Sequence, residues 1–136
     1  MAGESPVKEL RLAVTVENYD EVLAFYRDEL GLPLVKSWDE ETGSGAILDA
    51  GRATLELLSP KQADLIDEVE VGRRVAGPIR VALEVEDSAA TAQRLVAGGA
   101  ELVGGPAITP WLHRNARLEA PGGLQLTLFT ILEGGE

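Results

Sequence analysis

The chain predicts an α+β fold built from one small unit used twice, and three observations carry that prediction. Residues 11–18, Arg-Leu-Ala-Val-Thr-Val-Glu-Asn, return as residues 80–87, Arg-Val-Ala-Leu-Glu-Val-Glu-Asp, so Arg11, Ala13, Val16 and Glu17 correspond to Arg80, Ala82, Val85 and Glu86. Residues 51–58 have a counterpart in residues 122–129. In both copies a segment of period two runs into one of helical period and then into further short strand candidates, which reads as βαβββ. A duplicated unit of this size pairs with its copy, so equivalent side chains converge on a shared cavity or axis.

In the first unit, residues 7–58, Leu10, Leu12, Val14 and Val16 alternate with Arg11, Ala13 and Thr15, the pattern of a strand covered on one face. Asn18 is placed to cap the helix that follows, with Glu21 as its capping-box partner and Gly31 as the stop. Val22, Phe25, Tyr26 and Leu30 form the buried stripe of that helix. Residues 34–38, 45–50 and 53–58 read as short strands, separated by the polar stretch 39–43 and a tight turn at Gly51. Residues 59–78, with Pro60, Gly72 and Pro78, read as a linker in which Ala63, Leu65, Ile66 and Val69 mark a short helix. The second unit, residues 79–131, repeats the order. Ile79, Val81, Leu83 and Val85 face inward, and Arg80, Ala82 and Glu84 lie opposite. Asp87 caps a helix that carries Ala92, Leu95 and Val96 and stops at Gly98 and Gly99. Strands follow near 101–104, 113–119 and 124–130, Gly104 and Gly105 punctuate a turn, and residues 134–136 look frayed.

Composition narrows the function classes. A chain of 136 residues, 45% hydrophobic, suits one domain, residues 1–136, that buries roughly 65–70% of its unfolded surface. Twenty-three acidic against 12 basic residues give a formal charge of −11, which repels phosphate backbones, so no nucleic-acid partner is expected. The acidic segments 39–41 and 64–70 read as solvated faces. Cysteine is absent, which removes disulfides and thiolate chemistry. There is no basic, apolar leader and no run of 18 apolar residues, so a soluble cytoplasmic protein without membrane contact is expected. No Gly-rich phosphate loop, Ser-His-Asp set or Cys-His pair stands in the sequence.

The order of elements, the phrase Val22-Leu-Ala-Phe-Tyr-Arg-Asp-Glu-Leu-Gly-Leu32 and the ending Ala120-Pro-Gly-Gly-Leu-Gln-Leu-Thr-Leu-Phe129 resemble the vicinal oxygen chelate superfamily over about residues 7–131. This is the glyoxalase, bleomycin-resistance and extradiol dioxygenase group. The resemblance implies two tandem βαβββ modules forming a curled eight-stranded mixed sheet, a cup with helices on its outer face, ligands inside it and a homodimer. In the metalloenzymes of that superfamily a divalent ion is held by His, Glu or Gln from the first and last strand of each module, and those places fall on Arg11, Glu56, Arg80 and Thr127. Only Glu56 is a conventional ligand, and two guanidiniums repel a dication, so neither a metal nor another cofactor is expected. A one-residue slip of the last strand would bring Gln125 to the metal position, but it would also turn Leu124, Leu126 and Leu128 into the cup. Gln125 is therefore kept as a contact to an organic ligand.

Alternation places Arg11, Ala13, Thr15, Thr54, Glu56, Leu58, Arg80, Ala82, Glu84, Gln125, Thr127 and Phe129 on the cup wall. Small residues leave space there and polar ones direct hydrogen bonds. The plainer reading is a solvated sheet face that becomes a dimer surface. Arg11 and Arg80 either clamp an anionic or carbonyl oxygen or pair with Glu56 or Glu84. Glu56 is a general base or an ion-pair partner, and His113 an acid-base group or a rim residue. Trp38 and Trp111 either stack on a planar ligand at the cup mouth or pack at a dimer seam. The expectation is a metal-independent protein that binds and sequesters a small aromatic natural product or antibiotic. Its contacts would be Arg11, Trp38, Glu56, Arg80, Trp111, His113, Gln125, Thr127 and Phe129. The alternative is a metal-independent lyase or isomerase using Glu56 or His113 for proton transfer, and a third reading is a dimeric scaffold.

Overall fold

Along the chain the elements run α1 (Tyr19–Ala24), prolonged by a π-helical turn at Phe25–Glu29, then β1 (Leu34–Glu40), β2 (Gly43–Leu48), α2 (Pro60–Glu70), β3 (Val81–Glu84), α3 (Ser88–Ala97), β4 (Glu101–Ile108), β5 (His113–Glu119) and β6 (Gln125–Ile131). The computed structural model describes residues 11, 12, 14, 16–53, 56, 59–77 and 79–135. Among these residues six strands lie in two sheets, the antiparallel hairpin β1-β2 and a mixed sheet in the order β3-β6-β5-β4, with β3 parallel to β6. The fold is therefore α+β, and β3, α3, β4, β5 and β6 supply the βαβββ order in the second half. Leu10, Ala13, Thr15, Thr54 and Leu58, expected on the first and last strands of the first unit, lie outside the described residues.

Helix α3 exists because its sequence supplies both ends and one apolar stripe. The Asp87 side chain accepts from the Ala90 N–H at 3.1 Å, and the chain leaves the helix through Gly98 and then Gly99 at φ +117°. Ala92 and Leu95 are buried beneath it against Ala116, Leu118, Leu126 and Leu128, four residues with no exposed surface. Each buried leucine contributes roughly 1.5–3 kcal/mol of transfer free energy. Val81, Leu83, Val85 and Leu124 pack on the same core, and Phe25 adds an edge-on contact to Tyr26 at 5.2 Å between ring centres.

Several sequence expectations change. Ile79 was expected to face inward but is 65% exposed, because β3 begins only at Val81. Val96, expected in the stripe of α3, is exposed, since the core side of that turn is filled by Leu95. Asn18 does not cap α1 with its side chain; its Nδ2 donates to the Glu21 carboxylate at 2.8 Å. Gly104 and Gly105 do not form a turn but lie within β4.

Helix α2, inside the expected linker, departs most. Ser59 caps it by accepting from the Gln62 N–H at 3.2 Å, and Pro60 stands at its first position. The face it buries is Ala63, Asp67 and Glu70, while Leu65 is exposed. The expectation that residues 64–70 form a solvated acidic face is therefore wrong for Asp67 and Glu70. Their spacing puts them on one stripe with Ala63, and that stripe lies on the face of the sheet opposite α3.

Gly104 makes this close approach feasible. A Cβ at that position would stand 2.5 Å from the Glu70 carbonyl oxygen and 3.1 Å from the Val71 Cα. Gly104→Ala is expected to lower stability by about 1–3 kcal/mol through backbone overpacking. Gly77→Ala, where the added carbon meets nothing within 4 Å, should leave stability unchanged or raise it by up to about 1 kcal/mol. Urea unfolding of the two variants beside the parent measures both.

Candidate functional site

The face of the β3-β6-β5-β4 sheet turned away from α3 presents, by alternation, Ala82 and Glu84 from β3, His113, Asn115 and Arg117 from β5, and Gln125, Thr127 and Phe129 from β6. Pairing fixes who neighbours whom. Arg117 stands opposite Thr127, Asn115 opposite Phe129, and Phe129 beside Glu84. The register is the one that keeps Leu126 and Leu128 in the core and Gln125 and Thr127 on the opposite face.

Half of this face is covered by α2, and the contact is ionic. One carboxylate oxygen of Asp67 accepts from Arg80 Nη1 at 2.7 Å and pairs with Arg117 Nη1 at 3.1 Å. Its other oxygen accepts from the N–H groups of Val75 and Ala76 at 2.8 and 2.9 Å and from Arg74 Nη1 at 3.3 Å. Glu70 accepts from Arg117 Nη2 at 2.8 Å and from Asn115 Nδ2 at 2.7 Å. Arg117 completes its set by donating from Nε to the Thr127 hydroxyl at 3.0 Å and from Nη1 to Gln125 Oε1 at 3.3 Å. Arg80 also donates to the Ala63 carbonyl at 2.9 Å. Asp67 and Arg117 are essentially inaccessible to solvent. Burial alone pushes the Asp67 carboxyl up, but the N–H groups of Ala76 and Val75 and the Arg80 guanidinium outweigh it and hold the carboxyl well below the usual carboxylate range.

These pairings decide between the alternatives left open for Arg80. It pairs with neither Glu56 nor Glu84; its partner is Asp67, brought by the segment expected to be only a linker. Gln125 and Thr127 do face the expected side, yet both are engaged by Arg117. Arg117, Asp67, Glu70 and Asn115 were absent from the expected set. The signal that could have found them is the spacing of Ala63, Asp67 and Glu70, together with an arginine alternating between Ala116 and Leu118 in a strand.

The half of the face beyond α2 carries His113 and Phe129, whose rings stack at 5.2 Å between centres and 16° between planes, both half-buried. His113 is presented by a tight turn in which its N–H donates to Thr109 Oγ1 at 3.1 Å and Leu112 sits at φ +63°. That conformation costs a branched side chain of order 1–2 kcal/mol. Ala82 and Glu84 beside the rings are exposed. Trp111 is half-buried in the turn before His113. Trp38 is elsewhere. Its indole lies flat against Gly45, its partner in the hairpin, and lines an open groove of about 880 Å³ with Tyr19, Glu17, Asp20, Glu21 and Asp39. No residue lining that groove comes from the four-stranded sheet. Arg11 and Glu56 are exposed, and Arg11 has an interaction partner. Tyr26, on the helix side, has its hydroxyl pushed up to about 12 by burial and stays protonated.

The second-unit positions where superfamily metalloenzymes hold a divalent ion do not suit one here. Arg80 offers only N–H donors and no lone pair, and the Thr127 hydroxyl already accepts from Arg117. Among the described residues no three His, Cys, Asp or Glu side chains are grouped to hold a metal ion. No helix among them is long and apolar enough to cross a membrane.

The family model described as Glyoxalase/Bleomycin resistance protein/Dioxygenase superfamily matches residues 10–128. No curated protein matches the chain. Among solved structures, TnmS3, an antibiotic binding protein from Streptomyces sp. CB03234, is similar at 21% identity with a TM-score of 0.62, over 93% of this chain and 98% of that one. A glyoxalase/bleomycin resistance protein from the same Streptomyces is 23% identical, with a TM-score of 0.54 over 85% of this chain and 93% of its own. The hypothetical protein SA1046 from S. aureus shares 13% identity and a TM-score of 0.60, over 93% of this chain and 95% of its own. At these identities the likeness concerns the fold.

The Asp67 hub yields two expected outcomes. Asp67→Ala leaves Arg80 and Arg117 without their shared counter-ion and should cost about 3–5 kcal/mol. Because the folded-state pKa of Asp67 is depressed, its stabilisation is fully present above the unfolded value of about 3.9 and is lost as pH falls from there through the folded value. Thermal unfolding from pH 7 to pH 2 should therefore show a steeper acid loss in the parent than in Asp67→Asn, and equal slopes would contradict this.

Proposed function

The chain belongs to the Glyoxalase/Bleomycin resistance protein/Dioxygenase superfamily, and from that premise we propose that it binds and sequesters a small organic molecule, an aromatic natural product or antibiotic, without metal and without turnover. The observation that carries this reading is the stacked His113–Phe129 pair on the uncovered half of the cup face, beside a charge network that is already satisfied. Two half-buried rings at 16° offer a flat apolar contact, worth about 0.5–1.5 kcal/mol per aromatic neighbour beyond area burial. Acid-base work needs a group whose proton affinity is set for it and which can reach substrate. The arginines and carboxylates under α2 are instead committed to one another. Gln125 and Thr127 contribute the polar edge of the cavity, and Trp111 its mouth. Arg11, Glu56 and Trp38 would reach a ligand from the first unit. The description of TnmS3 as an antibiotic binding protein supports the same direction for this chain.

The proposal includes a homodimer in the cytoplasm. Strand β1 is exposed along its whole length, with Leu34 at 43%, Val35 at 64% and Trp38 at 41%, an apolar edge that a second copy would cover. Equilibrium sedimentation is expected to give twice the 14.5 kDa of one chain, with Val35→Lys shifting it toward the monomer.

Titration with planar aromatic compounds tests the binding reading. A ligand should raise Tm with the logarithm of its concentration, be recovered chemically unchanged, and bind at least tenfold more weakly to Phe129→Ala. Chemical conversion of the ligand that disappears in Glu56→Gln or His113→Ala would replace this reading with the lyase or isomerase alternative.

A further inference from the structure

We propose that the ligand held on the His113–Phe129 rings is a planar aromatic cation, selected by Glu84 at the open edge and by the cancellation of the cup-face arginines beneath α2. The inference rests on the binding reading above and specifies its ligand class.

The first step is the charge that a ligand would meet. Under α2 three guanidiniums, Arg74, Arg80 and Arg117, are engaged by three carboxylates, Asp64, Asp67 and Glu70, at 2.7 to 3.3 Å. Among the described residues these three positive and three negative charges cancel, and Arg80 and Arg117 are committed to the carboxylates. An anionic group arriving at this half of the sheet face finds Arg80 and Arg117 already paired, and drawing either one away would leave a carboxylate stranded. Arg114, the remaining basic residue of β5, stands opposite Thr130 and faces the α3 side.

The second step is what remains at the open edge. Glu84 is in register with Phe129 on the adjacent parallel strand, and neighbouring strands lie about 4.8 Å apart. Glu84 is exposed and has no ion-pair partner among the described residues. A flat ring resting on Phe129 therefore has a carboxylate beside it. A positive charge carried by that ring gains from the carboxylate and from the face of Phe129 together. His113 is the other ring of the pair.

The test uses three tricyclic probes of similar shape: 9-aminoacridine as the cation, acridone as the neutral ring and anthracene-9-carboxylate as the anion. Calorimetric titration of the full chain at pH 8 should give affinities in the order cation, neutral, anion. Glu84→Gln should weaken the cation about three- to fivefold, the upper range for a partly exposed ion pair, and leave acridone unchanged. Phe129→Leu, which keeps an apolar side chain there, should weaken all three. Glu41→Gln, the same loss of charge in the β1-β2 turn, separates a local effect from the general field of an acidic protein.

If the anion binds as tightly as the cation, or Glu41→Gln weakens the cation as much as Glu84→Gln does, the inference fails while the binding reading stands. If none of the three probes binds, both fail.

Discussion

A single buried carboxylate organises the second half of this molecule. Asp67 receives two backbone N–H groups from the chain that follows α2 and three guanidiniums, from Arg74, Arg80 and Arg117. Each contact would be weak in water. Away from solvent, with an effective dielectric near 20, two unit charges 4 Å apart interact by about 4 kcal/mol, so the cluster is stable only as a complete set. The N–H donors explain why burial fails to protonate Asp67. They orient fixed dipoles at the oxygen without the desolvation cost of another charge, and the arginines supply the rest. The same set ties three places distant in sequence: the end of α2, the entrance to β3 and the middle of β5.

The consequence for the site is division of labour on one sheet face. Where α2 lies, arginines and carboxylates pair with one another and act as architecture. Where α2 stops, the sheet turns aromatic, with His113 stacked on Phe129. The boundary follows from side-chain length. Arg117 and Asn115 reach up to Glu70, so the helix approaches closely only over a strand that has no side chain to obstruct it, which is the role of Gly104 in β4. The helix that looked like a connector thus sets how much of this sheet face is covered.

The second unit was largely legible in the sequence. Asp87, Gly98 and the Ala92–Leu95 spacing located α3, and a strand was expected at residues 113–119, where β5 lies. Such readings succeed because period and capping are local. Glu70 and Arg117 are 47 positions apart, and no local rule tells an acidic stripe that it will be buried. Composition argues the other way, since aspartate and glutamate are almost never fully buried unless paired. Arg80, just before β3, was singled out, but its partner was sought at Glu56 and Glu84 in the duplicated pattern, whereas the structure pairs it with Asp67. Glycines misled for a related reason. Gly104 and Gly105 carry the signature of a turn, while their actual use is close approach of another backbone, which depends on what packs there. Trp38 and Trp111 were grouped as scarce aromatics near strand ends, and the fold places Trp38 on the hairpin against Gly45, apart from the His113–Phe129 pair.

Duplication by itself would give two equivalent half-sites, with Arg11 and Arg80 at matching places. The segment that breaks the equivalence is residues 59–78, which occurs once because it lies between the copies. It delivers a counter-ion to Arg80. A guanidinium left on a concave face attracts anions, whereas one locked to a carboxylate contributes rigidity and no net charge. The acidic helix α2 therefore sets the chemistry of the sheet face that it covers. Beyond α2 the same sheet face presents the stacked His113 and Phe129 rings and the exposed carboxylate of Glu84.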